Sequence, residues 1–168
     1  MKMEDFKKFS EYLDNSLKKG LFKEGVYISI GLDKESNRVF KDIQKTFKSF
    51  TELEEELHCT IIYSKKPCIC DVQTLEKDAT ITAKFKGYSL FGSENDILVA
   101  EIESKELRER YEYLMTKHDF ISDYREYKPH ITLAFNYKDK LDDLPSINTD
   151  IILKNEVVKE MDTNKGKA

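Results

Sequence analysis

Two short stretches of this chain pair an imidazole with a hydroxyl at the same spacing: His58-Cys59-Thr60-Ile61 and His130-Ile131-Thr132-Leu133. On an extended strand side chains alternate between faces. His58 and Thr60 therefore share one face, and His130 and Thr132 share another. The residues between and after them, Cys59 with Ile61 and Ile131 with Leu133, point the opposite way and anchor each strand in a core. Two imidazoles brought to either side of a phosphate can perform phosphodiester chemistry without a metal. A neutral histidine removes the proton of the attacking hydroxyl, and a protonated one donates to the departing oxygen; the ordinary histidine pKa suits both tasks. The threonine hydroxyls would donate to the non-bridging oxygens, where charge builds in the transition state. His118, the third histidine, sits where a helix is expected to end and reads as a dipole partner or core-edge residue.

Positioning such a pair calls for strands backed by helices, and the pattern supplies them twice. Residues 4–19 read as an amphipathic helix with Phe6, Phe9, Leu13 and Leu17 on one stripe. Val26 to Leu32 alternates as a strand, and Asp33 can cap a helix carrying Val39, Phe40, Ile43 and Phe47. Leu57 to Tyr63 is the first His-bearing strand. Ala79 to Phe91 and Ile97 to Ile102 read as strands joined by the turn Gly92-Ser93-Glu94-Asn95. A helix over Ser104 to Lys117 follows, then the second His-bearing strand, Ile131 to Tyr137, introduced by Pro129. Ile151 to Leu153 is expected as a last short strand before a polar tail, Asn155 to Ala168. Strand, helix and strand thus recur in each half, as in a single α+β domain built of two similar lobes.

Composition narrows the partners. A net charge of −4 lacks the basic excess of a protein that tracks long nucleic acid. A short nucleotide is the better match. No apolar run is long enough to span a membrane, and the start of the chain reads without a signal peptide, so the expectation is a cytoplasmic protein. Cys59, Cys68 and Cys70 then read as reduced thiols. Cys68-Ile69-Cys70 lacks a second ligand pair, so no metal site and no cofactor are expected.

The chain resembles the two-histidine (2H) phosphoesterase superfamily, whose hallmark is a pair of His-x-Thr/Ser strands. It is more specifically similar to the phage anti-CBASS phosphodiesterases, which destroy cyclic oligonucleotide alarm signals. The likeness is carried by Phe22-Lys23-Glu24-Gly25-Val26-Tyr27, Leu57 to Lys65, Tyr113 to His118 and Glu126 to Leu133. It implies a bilobal fold with two pseudo-symmetric antiparallel sheets, helices outside, and His58, Thr60, His130 and Thr132 lining the cleft between them. It also implies that Tyr27 faces a substrate base and that Glu156 lies close to the substrate. A tail tryptophan common in such proteins is absent here; either other groups, such as Met161, serve as the lid or the base contact is weaker. The activity implied is cleavage of cyclic di- and trinucleotides in the host bacterial cytoplasm. The alternatives are a 2′,3′-cyclic phosphodiesterase acting on RNA ends and a non-catalytic cyclic-nucleotide sponge. Which histidine begins as the base is left open by the sequence.

Overall fold

From Val26 onward apolar and polar residues alternate, and the backbone is extended, with Val26, Ile28 and Ile30 fully buried. The computed structural model describes residues 20–162. The helix expected over 4–19 lies outside them. In chain order the elements are β1 (Leu21–Phe22), β2 (Val26–Leu32), α1 (Lys34–Gln44), β3 (Glu52–Leu53), β4 (His58–Ser64) and β5 (Cys68–Ile69). Then come β6 (Thr80–Phe91), β7 (Ile97–Glu103), α2 (Lys105–Lys117), β8 (His130–Phe135) and β9 (Ile151–Glu160).

Both α-helices among the described residues begin at side-chain caps. The Asp33 carboxylate accepts from Ser36 N at 2.8 Å, and Ser104 Oγ accepts from Leu107 N at 3.2 Å. Each such cap stabilises a helix by about 1 kcal/mol. Ser104 Oγ also donates to Thr82 O at 2.7 Å, tying α2 to β6. The helices bury Phe40 and Ile43, and Leu107 and Leu114, in one core with Ile28, Ile30, Ile131, Leu133, Ile151 and Leu153. Among the described residues no helix is long and apolar enough to cross a membrane.

The class is α+β, and every strand pairing among the described residues is antiparallel. Two pseudo-symmetric antiparallel-sheet lobes were expected; among the described residues seven strands form one sheet in the order β3-β8-β4-β2-β9-β6-β7, and β1 and β5 make a separate two-stranded ribbon. Strand β9 joins the halves because it pairs with β2 on one side and β6 on the other. A further β7–β8 pairing closes the hydrogen-bonded circuit.

The end of the chain departs most from expectation. Residues 155–160 continue β9 rather than forming a polar tail, and Met161 is buried, its N–H donating to Gly25 O at 3.0 Å. Met161 is packed against the fold and not placed as a lid. The strand was hidden by a bulge: Ile30 faces Glu156 while Gly31 faces Lys154, so Asn155, at φ +66°, is the extra residue. Such an insertion shifts the apolar alternation by one. The core-facing set is accordingly Ile151 and Leu153 before the bulge, then Glu156 and Val158 after it.

Candidate active site

The two His-x-Thr strands meet at their central residues. Cys59 of β4 lies opposite Ile131 of β8 in an antiparallel pair, both fully buried. That register sets His58 toward Thr132 and Thr60 toward His130, all on the face away from the core. The two imidazoles are then diagonal neighbours, and so are the two hydroxyls. Diagonal neighbours in such a pair lie roughly 7–8 Å apart, which leaves room for a phosphate between them. The flanking strands extend this face. Ser29 and Gly31 of β2 pair with Thr60 and His58, and Val99 and Glu101 of β7 pair with Thr132 and His130.

Both rings are held by the same local device. His58 Nδ1 lies 2.6 Å from Glu56 O, and His130 Nδ1 lies 2.8 Å from Lys128 O. A carbonyl oxygen only accepts, so each Nδ1 carries a hydrogen and donates it two residues back. Each ring is therefore oriented with Nε2 as the reactive atom. Burial pushes the His130 pKa below the ordinary histidine value. The Lys128 carbonyl and the charge of Glu101 act against that shift, and His58 adds to it.

The surroundings of the two rings differ. Tyr27 Oη sits 2.7 Å from His58 Nε2 and 2.8 Å from Thr60 Oγ1, and its ring meets the His58 ring edge-on at 6.2 Å. Burial raises the Tyr27 pKa, so the phenol keeps its proton. Beside His130, the ring of Phe91 packs edge-to-face with a centroid separation of 4.8 Å. Ser89 Oγ donates to Glu101 Oε2 at 2.6 Å and fixes the carboxylate next to His130 in the register. Tyr127, three residues before His130, donates from Oη to Thr60 O at 2.9 Å and stacks on Tyr111 at 4.4 Å. It braces one motif strand against the loop that leads into the other.

The structure thus brings together five of the six residues expected at the site: His58, Thr60, His130, Thr132 and Tyr27. Glu156 is the exception. It pairs in register with Ile30, on the core side, and its side chain is 0% exposed. Its two oxygens accept from Arg110 Nη2 at 2.6 Å and Nε at 2.8 Å, and Leu75 N donates to one of them at 3.3 Å. It is a buried ion-pair partner on the face opposite the histidines, because the bulge at Asn155 turns it inward. His118 caps the end of α2, its backbone N–H donating to Leu114 O at 3.0 Å. Cys68 is in the β1–β5 ribbon and Cys70 adjoins it.

Sequence reasoning missed Glu101, Ser89, Phe91 and the bracing role of Tyr127. Tyr127 lies in the stretch that leads into the second motif. The other three are visible only once β6, β7 and β8 are in register.

Comparison with known proteins follows this geometry. The family described as Anti-CBASS protein Acb1 matches residues 24–168. A curated relative, the Anti-CBASS protein Acb1 of Vibrio phage KVP40, is 30% identical over 149 residues, covering 87% of this chain and 93% of the relative. Among solved structures, TT0787 of Thermus thermophilus aligns over 80% of this chain and 83% of its own, with 15% identity and a TM-score of 0.48. With a family match across most of its length and a relative of the same description over nearly all of it, the chain belongs to the Anti-CBASS protein Acb1 family.

Proposed function

We propose that this protein is a metal-independent phosphodiesterase that cleaves 3′–5′ links of cyclic di- and trinucleotides in the host cytoplasm and so counters CBASS signalling. The observation that carries the reading is the back-to-back register of the two motifs, with Cys59 opposite Ile131. It gives one face two imidazoles, each oriented by its own backbone carbonyl, and two threonine hydroxyls. On this reading the strands β4 and β8 stand for the two lobes of a 2H phosphoesterase. The ribose 2′-hydroxyl beside the scissile link attacks phosphorus as one histidine takes its proton. The 2′-oxygen–phosphorus bond forms, the bond to the 5′-oxygen breaks, and the other histidine protonates that oxygen. The product is a 2′,3′-cyclic phosphate, which water then opens with the two roles reversed. Thr60 and Thr132 donate to the non-bridging oxygens as their charge grows.

The test is incubation with cyclic di- and trinucleotides and with short RNAs ending in a 2′,3′-cyclic phosphate, with and without excess EDTA, resolving products by chromatography. The expected result is linear product from the rings at an unchanged rate under chelation. Cleavage of the RNA ends alone would assign the protein to RNA-end processing. Intact rings recovered after heat denaturation, in amounts equal to the protein, would make it a sponge. Activity lost to EDTA and restored by a divalent metal would replace the two-histidine mechanism with Lewis-acid catalysis.

A further inference from the structure

The two histidines have matched Nδ1 partners and unmatched Nε2 partners. His58 Nε2 is 2.7 Å from Tyr27 Oη, whereas His130 Nε2 has no hydrogen-bond partner among the described residues. A general base needs an open lone pair within reach of the attacking hydroxyl. His130 has one. At His58 only two arrangements fit the 2.7 Å separation. If the phenol donates to Nε2, the lone pair is occupied until that bond is given up, and the ring is the poorer base for the first proton transfer. If Nε2–H donates to the phenol oxygen, the ring already holds the proton that an acid must deliver.

The second arrangement also orders Thr60. Tyr27 Oη lies 2.8 Å from Thr60 Oγ1. With the phenol oxygen accepting from His58, the Tyr27 hydrogen is directed to Thr60 Oγ1. The Thr60 hydrogen is then left to point outward to a phosphoryl oxygen. The chain of donors runs one way, from His58 through Tyr27 to Thr60 to the substrate.

Resting on the phosphodiesterase reading, we propose that the Tyr27 hydroxyl is a positioning group that fixes His58 as the proton donor to the leaving 5′-oxygen and leaves His130 as the base. In the reaction, His130 Nε2 takes the 2′-hydroxyl proton while the 2′-oxygen bonds to phosphorus. The phosphorus–5′-oxygen bond breaks, and the proton on His58 Nε2 passes to that oxygen as it enters beside Tyr27 Oη. This task is distinct from stacking on a base, which uses the Tyr27 ring and not its hydroxyl.

Two substrates separate the roles. One is a cyclic ribodinucleotide with its natural 5′-oxygen at the scissile link. The other is the same ring with sulfur in place of that bridging oxygen, which leaves as a thiolate and needs no proton. Tyr27→Phe keeps the ring and removes the hydroxyl. On the oxygen ring it lowers kcat by about 10- to 100-fold, as loss of a hydrogen bond to a charged group does, with KM hardly changed. On the sulfur ring the defects of Tyr27→Phe and His58→Ala largely disappear, while His130→Ala stays inactive. Rescue of His130→Ala in place of His58→Ala would reverse the two roles and overturn the proposal. So would Tyr27→Phe working at the wild-type rate, or raising KM with kcat unchanged, which marks a stacking contact only. Wild-type protein that cleaves neither ring would overturn the phosphodiesterase reading itself, and the proposal with it.

Discussion

Replacing Glu156 with alanine removes the carboxylate from a pair whose side chains are 0% and 11% exposed. The Arg110 guanidinium remains, with only Gln73 O at 2.7 Å to accept from it. Three bonds are lost: the two charge-assisted ones from Arg110 and the one from Leu75 N. Breaking one side of a buried pair costs about 3–5 kcal/mol, because a desolvated charge is left uncompensated. Against a total stability of roughly 5–15 kcal/mol this is a large fraction. For a chain of this length it lowers Tm by roughly 6–20 °C. The loss of stability is read by urea and thermal unfolding. At temperatures where the variant is still folded, kcat and KM stay close to wild type, because Glu156 faces the core and not the histidines. Glu156→Gln, which keeps a carbonyl acceptor for Arg110, loses less stability than Glu156→Ala. A Glu156→Ala protein as stable as wild type but with a strongly raised KM would refute the reasoning and return Glu156 to the substrate.

His58→Ala and His130→Ala each lower turnover of a cyclic dinucleotide by about 10²- to 10⁴-fold, while His118→Ala leaves it near wild type, as steady-state rates on purified variants will show. Thr60→Ala and Thr132→Ala give smaller losses, since each removes a single donor to the phosphate. Because burial depresses the His130 pKa, its base form persists below the ordinary histidine value of about 6.5. The acidic limb of the kcat/KM profile therefore falls below that value, with activity lost as pH drops through the depressed pKa; a limb above it would contradict His130 as the base.

The parts of the fold legible in the sequence were those with an unbroken period. Val26 to Leu32 alternates cleanly and forms the strand expected, and Asp33 and Ser104 are capping residues at both helix starts. The polar faces of the His-bearing strands followed from parity alone. Two things were not legible. The bulge at Asn155 shifts the alternation of β9, so a strand with Lys154, Asn155 and Glu156 at its centre reads as a solvated tail. Its buried carboxylate is tolerated because Arg110, far away in sequence, neutralises it. The joining of both halves into one sheet was also hidden, because β9 pairs with β2 across more than a hundred residues. Glu101 and Ser89 stayed unseen for the same reason: which strand neighbours β8 is decided by long-range pairing and not by local pattern.

The most direct test of the central claim compares a native cyclic ribodinucleotide with its analogue lacking the 2′-hydroxyl beside the scissile bond. If that hydroxyl is the nucleophile, the native ring is cut and the deoxy link is left intact. The analogue still binds, because its phosphate contacts are unchanged. Product analysis by chromatography should show a 2′,3′-cyclic phosphate early in the native reaction, with the opened phosphate following. Equal cleavage of the ribose and deoxyribose links would show that water attacks directly, and would contradict a mechanism in which His58 and His130 act on the substrate's own hydroxyl.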